Sequence, residues 1–349
     1  MRQRLLDLLV CPRCQGELSC RATTTTSDQD VLDGELACSG CGRAFPVVRG
    51  IPRFVPTENY AASFGYQWSR FRQEQIDSLN GTRLSEHRFR TETEWAPEWM
   101  AGKVVLEAGC GAGRFLEIAS RETTCDVVGI DLSHAVDAAH ETLAGRRNVH
   151  LVQASIFELP FRPGSVDGVY CIGVIQHTPD PEGAIGELAK VLKSSGRIAL
   201  TIYERRPTTW LHGKYWLRPL TRRLRPQVLL GLIRFAMPLG FVLSEVLFRV
   251  PVLGRFFTFV VPVANYVDNP ELSWRQRYRW AILDTFDMFA PAYDRPQREE
   301  DVAGTLADAG IDDIRRLPNA GLNLVGTKTG PGQDGRLPTH ARSGGRYVH

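Results

Sequence analysis

Two acidic residues flank a glycine-rich turn in the first half of the chain. Glu107 closes an apolar run and is followed by Gly109, Gly111 and Gly113, while Asp131 closes the next apolar run. Glycines without side chains let a ligand approach the backbone and let the chain turn sharply into a helix. A carboxylate at 107 suits a positively charged amine, and one at 131 can accept hydrogen bonds from a ribose diol.

The glycine spacing separates this turn from a dinucleotide site. A dinucleotide fingerprint has the pattern G-x-G-x-x-G, and here the third glycine comes one position early. Glu107 would also repel a pyrophosphate. An amine, a ribose and a bare backbone together describe S-adenosylmethionine, which we predict as the cofactor. The alternative is a tight strand–helix turn that binds nothing.

Four cysteines near the start of the chain form two C-x2-C pairs. Cys11 and Cys14 are separated by 23 residues from Cys38 and Cys41. Two such pairs supply four thiolates for a tetrahedral Zn²⁺, although redox thiols remain an alternative. Four thiolates leave no open position for catalysis. The predicted zinc is therefore structural and stabilises a core too small to fold alone.

The elements that must position these residues alternate between strands and helices. Helical patterns lie between the apolar runs, and this alternation predicts a mostly parallel sheet covered on both faces. The fold class is therefore α/β, with a doubly wound sheet, an N-terminal zinc ribbon and a helical insertion. The strands are predicted at 103–107, 126–131, 149–153, 166–172 and 197–203.

Composition shifts divide the chain into six parts. A tail rich in Gly, Arg, Thr and Pro is expected to be disordered. The predicted parts are a zinc ribbon at 1–56, a helical connector or lid at 57–100, the cofactor-binding core at 101–204, the insertion at 205–270, the C-terminal part of the core domain at 271–329, and the tail at 330–349.

Overall composition restricts the partner and the compartment. The chain has 349 residues with a formal net charge of +3, so the whole chain carries no strong nucleic-acid signature. Eight cysteines without a recognisable secretory signal argue against a disulfide scaffold. We therefore predict a cytoplasmic protein whose partner is a small molecule rather than nucleic acid. The sequence leaves the oligomeric state open.

A set of stretches over residues 100–205 resembles the class I S-adenosylmethionine-dependent methyltransferases. They read VLEAGCGAGRF, VVGIDLS, VQASIFELPF, SVDGVYCIGVIQHTPDP and LKSSGRIALTIY, in the family's order. The resemblance implies a seven-stranded sheet in which Glu107, Gly109 and Gly111 lie against the methionine part of the cofactor and Asp131 holds its ribose, with Gly113 also in the cofactor-binding turn. It also implies that Ser155 and Ile156 flank the adenine and that Ile172 lines the site floor, although relatives usually carry an acid in place of Ser155.

The frame around the cysteine pairs carries a second resemblance. LLDLLVCPRCQGEL and ELACSGCGRAFPVVRGIPRFV are similar to the zinc-ribbon proteins that activate tRNA and protein methyltransferases as separate subunits. Here the ribbon is fused to the enzyme.

Three residues are the candidate catalytic groups. Alignment supplies much of the rate of methyl transfer, and an oxygen acceptor of high pKa also needs a base. His177 follows the fourth strand at the expected carboxyl edge, although it could instead cap the next helix or pair with Asp180. Asp287 and Tyr293 lie in LDTFDMFAPAYDRPQ, with Asp284, and could reach the acceptor or simply order that loop.

The insertion begins basic and becomes apolar. Residues 205–225 hold seven basic residues and no acid, interleaved with aromatics. The charge-free runs at 235–244 and 256–267 are each shorter than the roughly 20 residues that span a bilayer. We expect a helical cap whose apolar 235–265 half faces the methyl donor. It either buries its own core or makes peripheral contact with a membrane.

These observations favour a methyltransferase that acts on a small-molecule or lipid-linked metabolite through oxygen, nitrogen or carbon. One alternative is an RNA methyltransferase in which the ribbon and the basic stretch bind RNA. Another is a non-catalytic methyltransferase-like partner protein, against which the intact glycine turn argues.

Overall fold

The structure is a computed structural model that describes residues 1–56 and 59–330. Its N-terminal unit begins with a short helix, α1 (Gln3–Leu6), and continues as a four-stranded antiparallel sheet in the order β1-β2-β3-β4. The first C-x2-C pair precedes β1, while in the second pair Cys38 ends β2 and Cys41 lies in the turn that follows. The strands are β1 (Leu18–Thr25), β2 (Val31–Cys38), β3 (Ala44–Val48) and β4 (Ile51–Pro52).

Four helices connect this unit to the larger sheet. The third ends at Glu94, whose left-handed backbone stops the helix before Pro97 starts the next one. Phe89 and Trp95 from this connector are fully buried against Tyr170 of the sheet. The helices are α2 (Ala62–Phe71), α3 (Asp77–Asn80), α4 (Leu84–Thr93) and α5 (Pro97–Met100).

A seven-stranded sheet forms the centre of the molecule and confirms the predicted fold class. The strand order is β10-β11-β9-β8-β5-β6-β7, and β11 runs antiparallel to both of its neighbours while the others are parallel. The strands are β5 (Val104–Ala108), β6 (Asp126–Asp131), β7 (Val149–Gln153), β8 (Val166–Ile172), β9 (Leu192–Ile202), β10 (Ile311–Arg316) and β11 (Leu322–Lys328).

Helices cover both faces of this sheet. Because β5 pairs with β6 on one side and with β8 on the other, the strand order reverses at β5, and a crevice opens at its carboxyl end. The covering helices are α6 (Arg114–Ala119), α7 (Ala135–Thr142), α8 (Pro181–Lys190) and α13 (Glu299–Asp308).

The ribbon is joined to the edge of the large sheet. Arg53 forms a parallel bridge with Gln153 of β7, and the amide of Phe54 donates to the Gln153 carbonyl at 2.8 Å. The Arg53 guanidinium also binds Asp137 of α7 at 2.7 Å. Ribbon residues such as Leu36 and Phe54 belong to the same hydrophobic cluster as Val152. The ribbon and the sheet therefore share one core.

The insertion folds as three helices packed on a fourth. Leu229, Ile233 and Phe241 on one side of α10 (Pro226–Leu247) contact Ala281 and Phe286 of α12 (Trp274–Phe289) within a separate hydrophobic cluster. In the part of the chain that the structure describes, one helix, α10, is long and apolar enough to cross a membrane by length and composition. The four helices are α9 (Gly213–Thr221), α10 (Pro226–Leu247), α11 (Gly254–Val260) and α12 (Trp274–Phe289).

The disordered tail expected at 330–349 lies, apart from Gly330, outside the described residues. Two short 3-10 turns, Ile175–His177 after β8 and Thr209–Leu211 before α9, complete the described elements.

Candidate active site

The glycine turn at the end of β5 lies at the crevice where the strand order reverses. Gly109, Gly111 and Gly113 have φ values of +79°, +51° and +88°, which side chains other than glycine rarely adopt. A Cβ atom at Gly109 would lie 2.5 Å from Val174, and one at Gly111 would lie 2.9 Å from Nε1 of Trp68. The turn therefore requires glycine, and its backbone faces the crevice.

Asp131 is held in place at the end of the next strand. The amide of Gly111 donates to Oδ2 of Asp131 at 2.9 Å, and the amide and hydroxyl of Ser133 donate to Oδ1 at 2.8 and 2.7 Å. Burial raises the pKa of the Asp131 carboxyl despite these hydrogen bonds. Its carboxylate is fixed and available to accept hydrogen bonds from a diol.

Glu107 is the second buried acid, with an exposed fraction of 2%. The Tyr170 hydroxyl donates to its Oε2 at 3.2 Å. Burial raises the pKa of Glu107 well above its usual value, and the charge of nearby Asp131 adds to the effect. Among the described residues, neither acid forms an ion pair. A ligand carrying a positive charge would offset the cost of both buried carboxylates, so the site fits S-adenosylmethionine.

A cavity of about 720 Å³ extends from the glycine turn to α12. Nine of the residues singled out from the sequence contribute to its lining, and α2 crosses it with Phe64, Gln67 and Trp68. Gly113, Ser155 and Tyr293 are outside the lining: Gly113 precedes α6, and Ser155 accepts a hydrogen bond from the Phe157 amide. The nine are Glu107, Gly109, Gly111, Asp131, Ile156, Ile172, His177, Asp284 and Asp287.

His177 has one ring nitrogen engaged and one free. Its Nδ1 lies 3.0 Å from the Tyr293 carbonyl oxygen, which can only accept, so Nδ1 carries the proton. Nε2 is then an acceptor, and it is buried without a hydrogen-bond partner among the described residues. The ring lies between Phe64 and Tyr203, at centroid distances of 5.2 and 5.5 Å. Asp180 instead caps α8.

The far end of the cavity carries a pair of acids on α12. Asp287 accepts a hydrogen bond from Gln67 at 3.2 Å and has the Tyr203 hydroxyl 3.5 Å away. Asp284 accepts hydrogen bonds from Gln75, at 3.1 Å, and from Tyr266. These two acids are therefore held by side chains from the connector, from the end of β9 and from the segment before α12.

Asp284 has a perturbed pKa. Burial and the neighbouring charge of Asp287 raise it to about 6, against the opposing effects of the Tyr266 hydrogen bond and of the cations Arg114 and Arg88. Asp284 therefore changes charge in a pH range where ordinary carboxyl groups are already ionised.

We expect this shift to appear as a pH dependence of stability. The folded-state pKa lies above the reference value of 3.8, so the unfolded chain releases the proton at lower pH than the folded protein does. The free energy of unfolding therefore falls as the pH rises from about 4 to about 6. Asp284→Asn should abolish about 2 kcal/mol of that fall. Urea unfolding of both proteins at several pH values measures the difference. Parallel curves would contradict the pKa shift.

Sequence reasoning missed a buried cation at this end of the cavity. Arg114 is 8% exposed and donates to Gln75 and to Ser85, each at 2.9 Å, beside the ring of Trp280. Burial lowers its pKa to about 10, which leaves it charged at neutral pH. Its position directly after the glycine turn was the available signal. Its partners lie 29 and 39 residues earlier in the chain, and no local pattern indicates them.

The insertion contributes less to the cavity than we expected. Of residues 205–270, only Ala264, Tyr266 and Asn269 line it, and the cavity wall on this side is α12. The expectation that residues 235–265 face the methyl donor is therefore wrong for α10, because α10 packs on the opposite side of α12.

The four predicted zinc ligands form one cluster. All four sulfur atoms lie within 4.8 Å of one another, with Cys14 and Cys38 at 3.5 Å and Cys11 and Cys41 at 3.7 Å. Zinc–sulfur bonds of about 2.3 Å in a tetrahedron place sulfur atoms about 3.8 Å apart. Gly16 allows this approach, since a Cβ there would lie 3.1 Å from Sγ of Cys38. The donor set and spacing fit a tetrahedral zinc ion.

Comparison with protein families identifies both parts of the chain. Residues 106–200 match the family described as "Methyltransferase domain", and residues 2–50 match the family described as "Trm112p-like protein". Both resemblances noted from the sequence are thus confirmed.

Two curated relatives share the name ubiquinone biosynthesis O-methyltransferase. The protein of Idiomarina loihiensis is 34% identical over 115 residues, which are 32% of this chain and 47% of the relative. That of Acinetobacter baumannii strain AYE is 30% identical over 176 residues, 47% of this chain and 69% of the relative. The chain thus spans about half the length of the first relative and about two thirds of the second. It belongs to the S-adenosylmethionine-dependent methyltransferases.

Two solved structures are similar at low sequence identity. A Haloferax volcanii complex of the Trm112 methyltransferase activator with a second protein shows 13% identity, covers 76% of this chain and 98% of that chain, and has a TM-score of 0.46. Magnesium protoporphyrin IX methyltransferase from Synechocystis PCC 6803 shows 17% identity and covers 77% and 97%, with a TM-score of 0.42.

Proposed function

We propose that this protein transfers a methyl group from S-adenosylmethionine to a hydroxyl oxygen of a small-molecule or lipid-linked metabolite. The observation that carries the proposal is one cavity in which a cofactor-type end, with Glu107, the glycine turn and Asp131, is continuous with an end lined by His177, Asp284 and Asp287. The name of the two relatives, ubiquinone biosynthesis O-methyltransferase, supports oxygen as the acceptor atom.

The residues around β5 and β6 would hold the cofactor. Glu107 and the backbone of Gly109 and Gly111 would contact its methionine part, and Asp131 would accept hydrogen bonds from its ribose. Ile156 would lie against the adenine, with Ser155 beside it. When bound, the cofactor supplies an electrophilic methyl group on a positively charged sulfur, which is already a good leaving group.

His177 is the group we assign to the proton. Its Nε2 is an acceptor, because Nδ1 donates to the Tyr293 carbonyl. Nε2 of His177 would take the hydroxyl proton as the acceptor oxygen receives the methyl group, which the cofactor would supply from its sulfur. Tyr293 then acts through its backbone as a positioning residue, and Asp287 orients the acceptor by accepting hydrogen bonds. The phenyl ring of Phe64 beside His177 helps to keep water away from the reacting atoms.

We also propose that the four-cysteine cluster holds a structural Zn²⁺. Its support is the sulfur spacing and the absence of any fifth donor in the group of metal-ligating side chains found among the described residues. In this position zinc would stabilise the ribbon and would take no part in methyl transfer.

Cofactor binding tests the first half of the proposal. Asp131→Ala should weaken S-adenosylmethionine binding by about 1–3 kcal/mol, because the ribose diol loses its acceptor. Isothermal titration calorimetry measures this difference, with Asp312→Ala on exposed β10 as the matched control. Equal affinity of Asp131→Ala and the unmodified protein, or competition by NADH, would contradict the assignment.

The methyl acceptor is then found by turnover. The purified protein is incubated with S-adenosylmethionine and a panel of phenols, catechols and isoprenoid-linked phenols, and release of S-adenosylhomocysteine is followed by mass spectrometry. We expect a product heavier by one methylene for at least one oxygen acceptor. Methylation confined to nitrogen acceptors or to RNA in the same assay would overturn the proposal.

A further inference from the structure

The outer side of α10 is an exposed apolar stripe. Seven large apolar side chains recur there at helical spacing, and their exposed fractions run from 47% at Leu243 to 88% at Phe235. A helix on the surface of a globular protein normally turns charged and polar residues to this side. The seven are Val228, Leu232, Phe235, Leu239, Val242, Leu243 and Val246.

The neighbouring segments extend this exposure. Of the 22 exposed large apolar residues in the described chain, 16 fall between residues 210 and 256. They include Trp210 and Trp216, about half exposed, on and before α9, and Val252 and Phe256 around α11. Scattered apolar residues on a surface are ordinary, whereas a concentration of this kind marks an interaction surface.

The inner side of α10 fixes how the helix can meet a partner. Leu229, Ile233 and Phe241 are buried against α12, and Glu245 near its end binds Arg277 at 2.6 Å. A helix held along its length in this way cannot be surrounded by lipid. It can only present its outer side, so α10 would lie on a membrane rather than cross it.

Unpaired positive charge adjoins the stripe. Arg222, Arg223 and Arg225 immediately precede α10, are exposed, and form no ion pair with any described residue. Glu245 is the sole acid between residues 205 and 265, and it is engaged by Arg277 and Arg249. The surface therefore combines an apolar face with a basic border.

We propose that the outer side of α10, with the adjoining parts of α9 and α11, docks on an anionic lipid bilayer. The apolar stripe would enter the boundary between headgroups and acyl chains, and the three arginines would remain among the phosphates. Trp210 and Trp216 suit the same interface, because their rings are amphipathic. This docking is separate from the proposed methyl transfer, because the surface lies on the side of α12 opposite the cavity.

The same residues explain why a membrane is favoured over RNA. Two of the seven basic residues in 205–225, Lys214 and Arg218, are buried and bind Asp294, at 2.7 and 3.8 Å, and are thus removed from the surface. RNA binding uses exposed cations interleaved with stacking aromatics, and it gains nothing from seven aliphatic or phenyl groups on a neighbouring helix.

Vesicle flotation tests the proposal without cofactor or acceptor, so its outcome is independent of the methyl-transfer assay. The full chain is mixed with vesicles of phosphatidylcholine alone or with one third phosphatidylglycerol. We expect the protein to float with the anionic vesicles and to bind neutral ones more weakly. Binding should decrease with added salt, because the arginines contribute electrostatically.

Two sets of variants separate the apolar and the basic contributions. Leu232→Gln/Phe235→Gln/Leu239→Gln should lose flotation with both vesicle types, whereas Leu32→Gln/Val48→Gln/Leu79→Gln, at exposed apolar positions elsewhere, should float normally. The arginine variant is Arg222→Ala/Arg223→Ala/Arg225→Ala, and its control of equal charge is Arg21→Ala/Arg43→Ala/Arg70→Ala. The arginine variant should bind anionic vesicles more weakly than this control, by about fivefold for each arginine and so on the order of a hundredfold in all.

Quenching of tryptophan fluorescence measures how deeply Trp210 and Trp216 enter the bilayer, in the protein with its apolar stripe intact. Lipids brominated on their acyl chains should quench the fluorescence, and Trp210→Phe/Trp216→Phe should remove most of that quenching. Absence of flotation with anionic vesicles would overturn the proposal. So would concentration-dependent dimerisation through the stripe that replaces vesicle binding, or sub-micromolar RNA affinity lost in the arginine variant.

Discussion

Replacing His177 by alanine is expected to lower kcat by about 10²–10⁴-fold, because the acceptor hydroxyl loses the group that takes its proton. The affinity for S-adenosylmethionine should stay within about twofold, since His177 lies towards the acceptor end of the cavity and contacts Phe64 and Tyr203 rather than the glycine turn. Single-turnover kinetics with a saturating acceptor measure the chemical step directly. His140→Ala on α7, outside the cavity lining, is the control.

A second variant at the same contact tests whether His177 or the hydroxyl of Tyr293 takes the proton. Tyr293→Phe keeps the carbonyl that orients Nδ1 of His177 and removes only the phenol. It should therefore retain most of the activity. A loss as large as that of His177→Ala would instead make the Tyr293 hydroxyl the catalytic group.

The ionisation state of the acceptor distinguishes a base from a structural histidine. Acceptors whose hydroxyl is already ionised at the assay pH should lose less activity in His177→Ala, and an equal loss for all acceptors would contradict the proton-transfer role.

Replacing Cys38 by serine is expected to remove the metal and to unfold the ribbon. Structural zinc in small domains contributes an apparent 10–16 kcal/mol at neutral pH, which exceeds what a sheet of this size gains from its own core. Because the ribbon shares a hydrophobic cluster with the large sheet, the sheet should also lose stability while it remains folded.

Elemental analysis and hydrogen exchange measure the two effects. The unmodified protein should contain one zinc per chain, and Cys38→Ser should contain none, with fast exchange limited to residues 1–56. Cys20→Ser is the matched control, because Cys20 is half-buried on β1 and outside the cluster. Stoichiometric iron in the unmodified protein, or full zinc occupancy in Cys38→Ser, would show that the cluster is not the proposed site.

The cofactor end of the cavity could be predicted from sequence because it depends on local pattern. A buried strand, a turn that requires positive φ and a following helix are all encoded within about twelve residues, and β5 forms within one residue of the predicted strand at 103–107 and is followed by α6. The carboxyl ends of parallel strands then meet at one edge, so Asp131 comes beside the turn without any further information. The predicted strands at 126–131, 149–153 and 166–172 agree with the structure for the same reason.

The acceptor end could not be predicted in this way, because its contacts join distant parts of the chain. Asp287 is held by Gln67, 220 positions earlier, and Asp284 by Gln75, 209 positions earlier. Neither glutamine stands in a motif. Tyr203 is the one residue at this end that could have been found from sequence, because it is the last residue of a predicted strand and so lies at the carboxyl edge, where binding residues of this fold class are commonly found.

The insertion shows a different limit of sequence reasoning. Counting charge-free residues divided it at Arg234 and favoured short segments. The structure instead has one continuous helix, Pro226–Leu247, that passes through Arg234 and Pro238. A single arginine does not end a helix when its stem can lie along apolar neighbours, and Arg234 extends over the ring of Phe71. Helical periodicity, rather than the absence of charge, was the informative pattern.

The pairing of Arg53 and Phe54 with β7 also has a consequence for assembly. An open edge of a sheet offers unpaired amides and carbonyls to any other strand and so invites aggregation. Here the carboxyl end of the edge strand β7 pairs with a segment of the same polypeptide, whose effective concentration at that edge is on the order of millimolar for a short tether. Dilution cannot separate them, so the ribbon-bound form should persist at any protein concentration. Synthesis of the two parts is also fixed at a ratio of one to one.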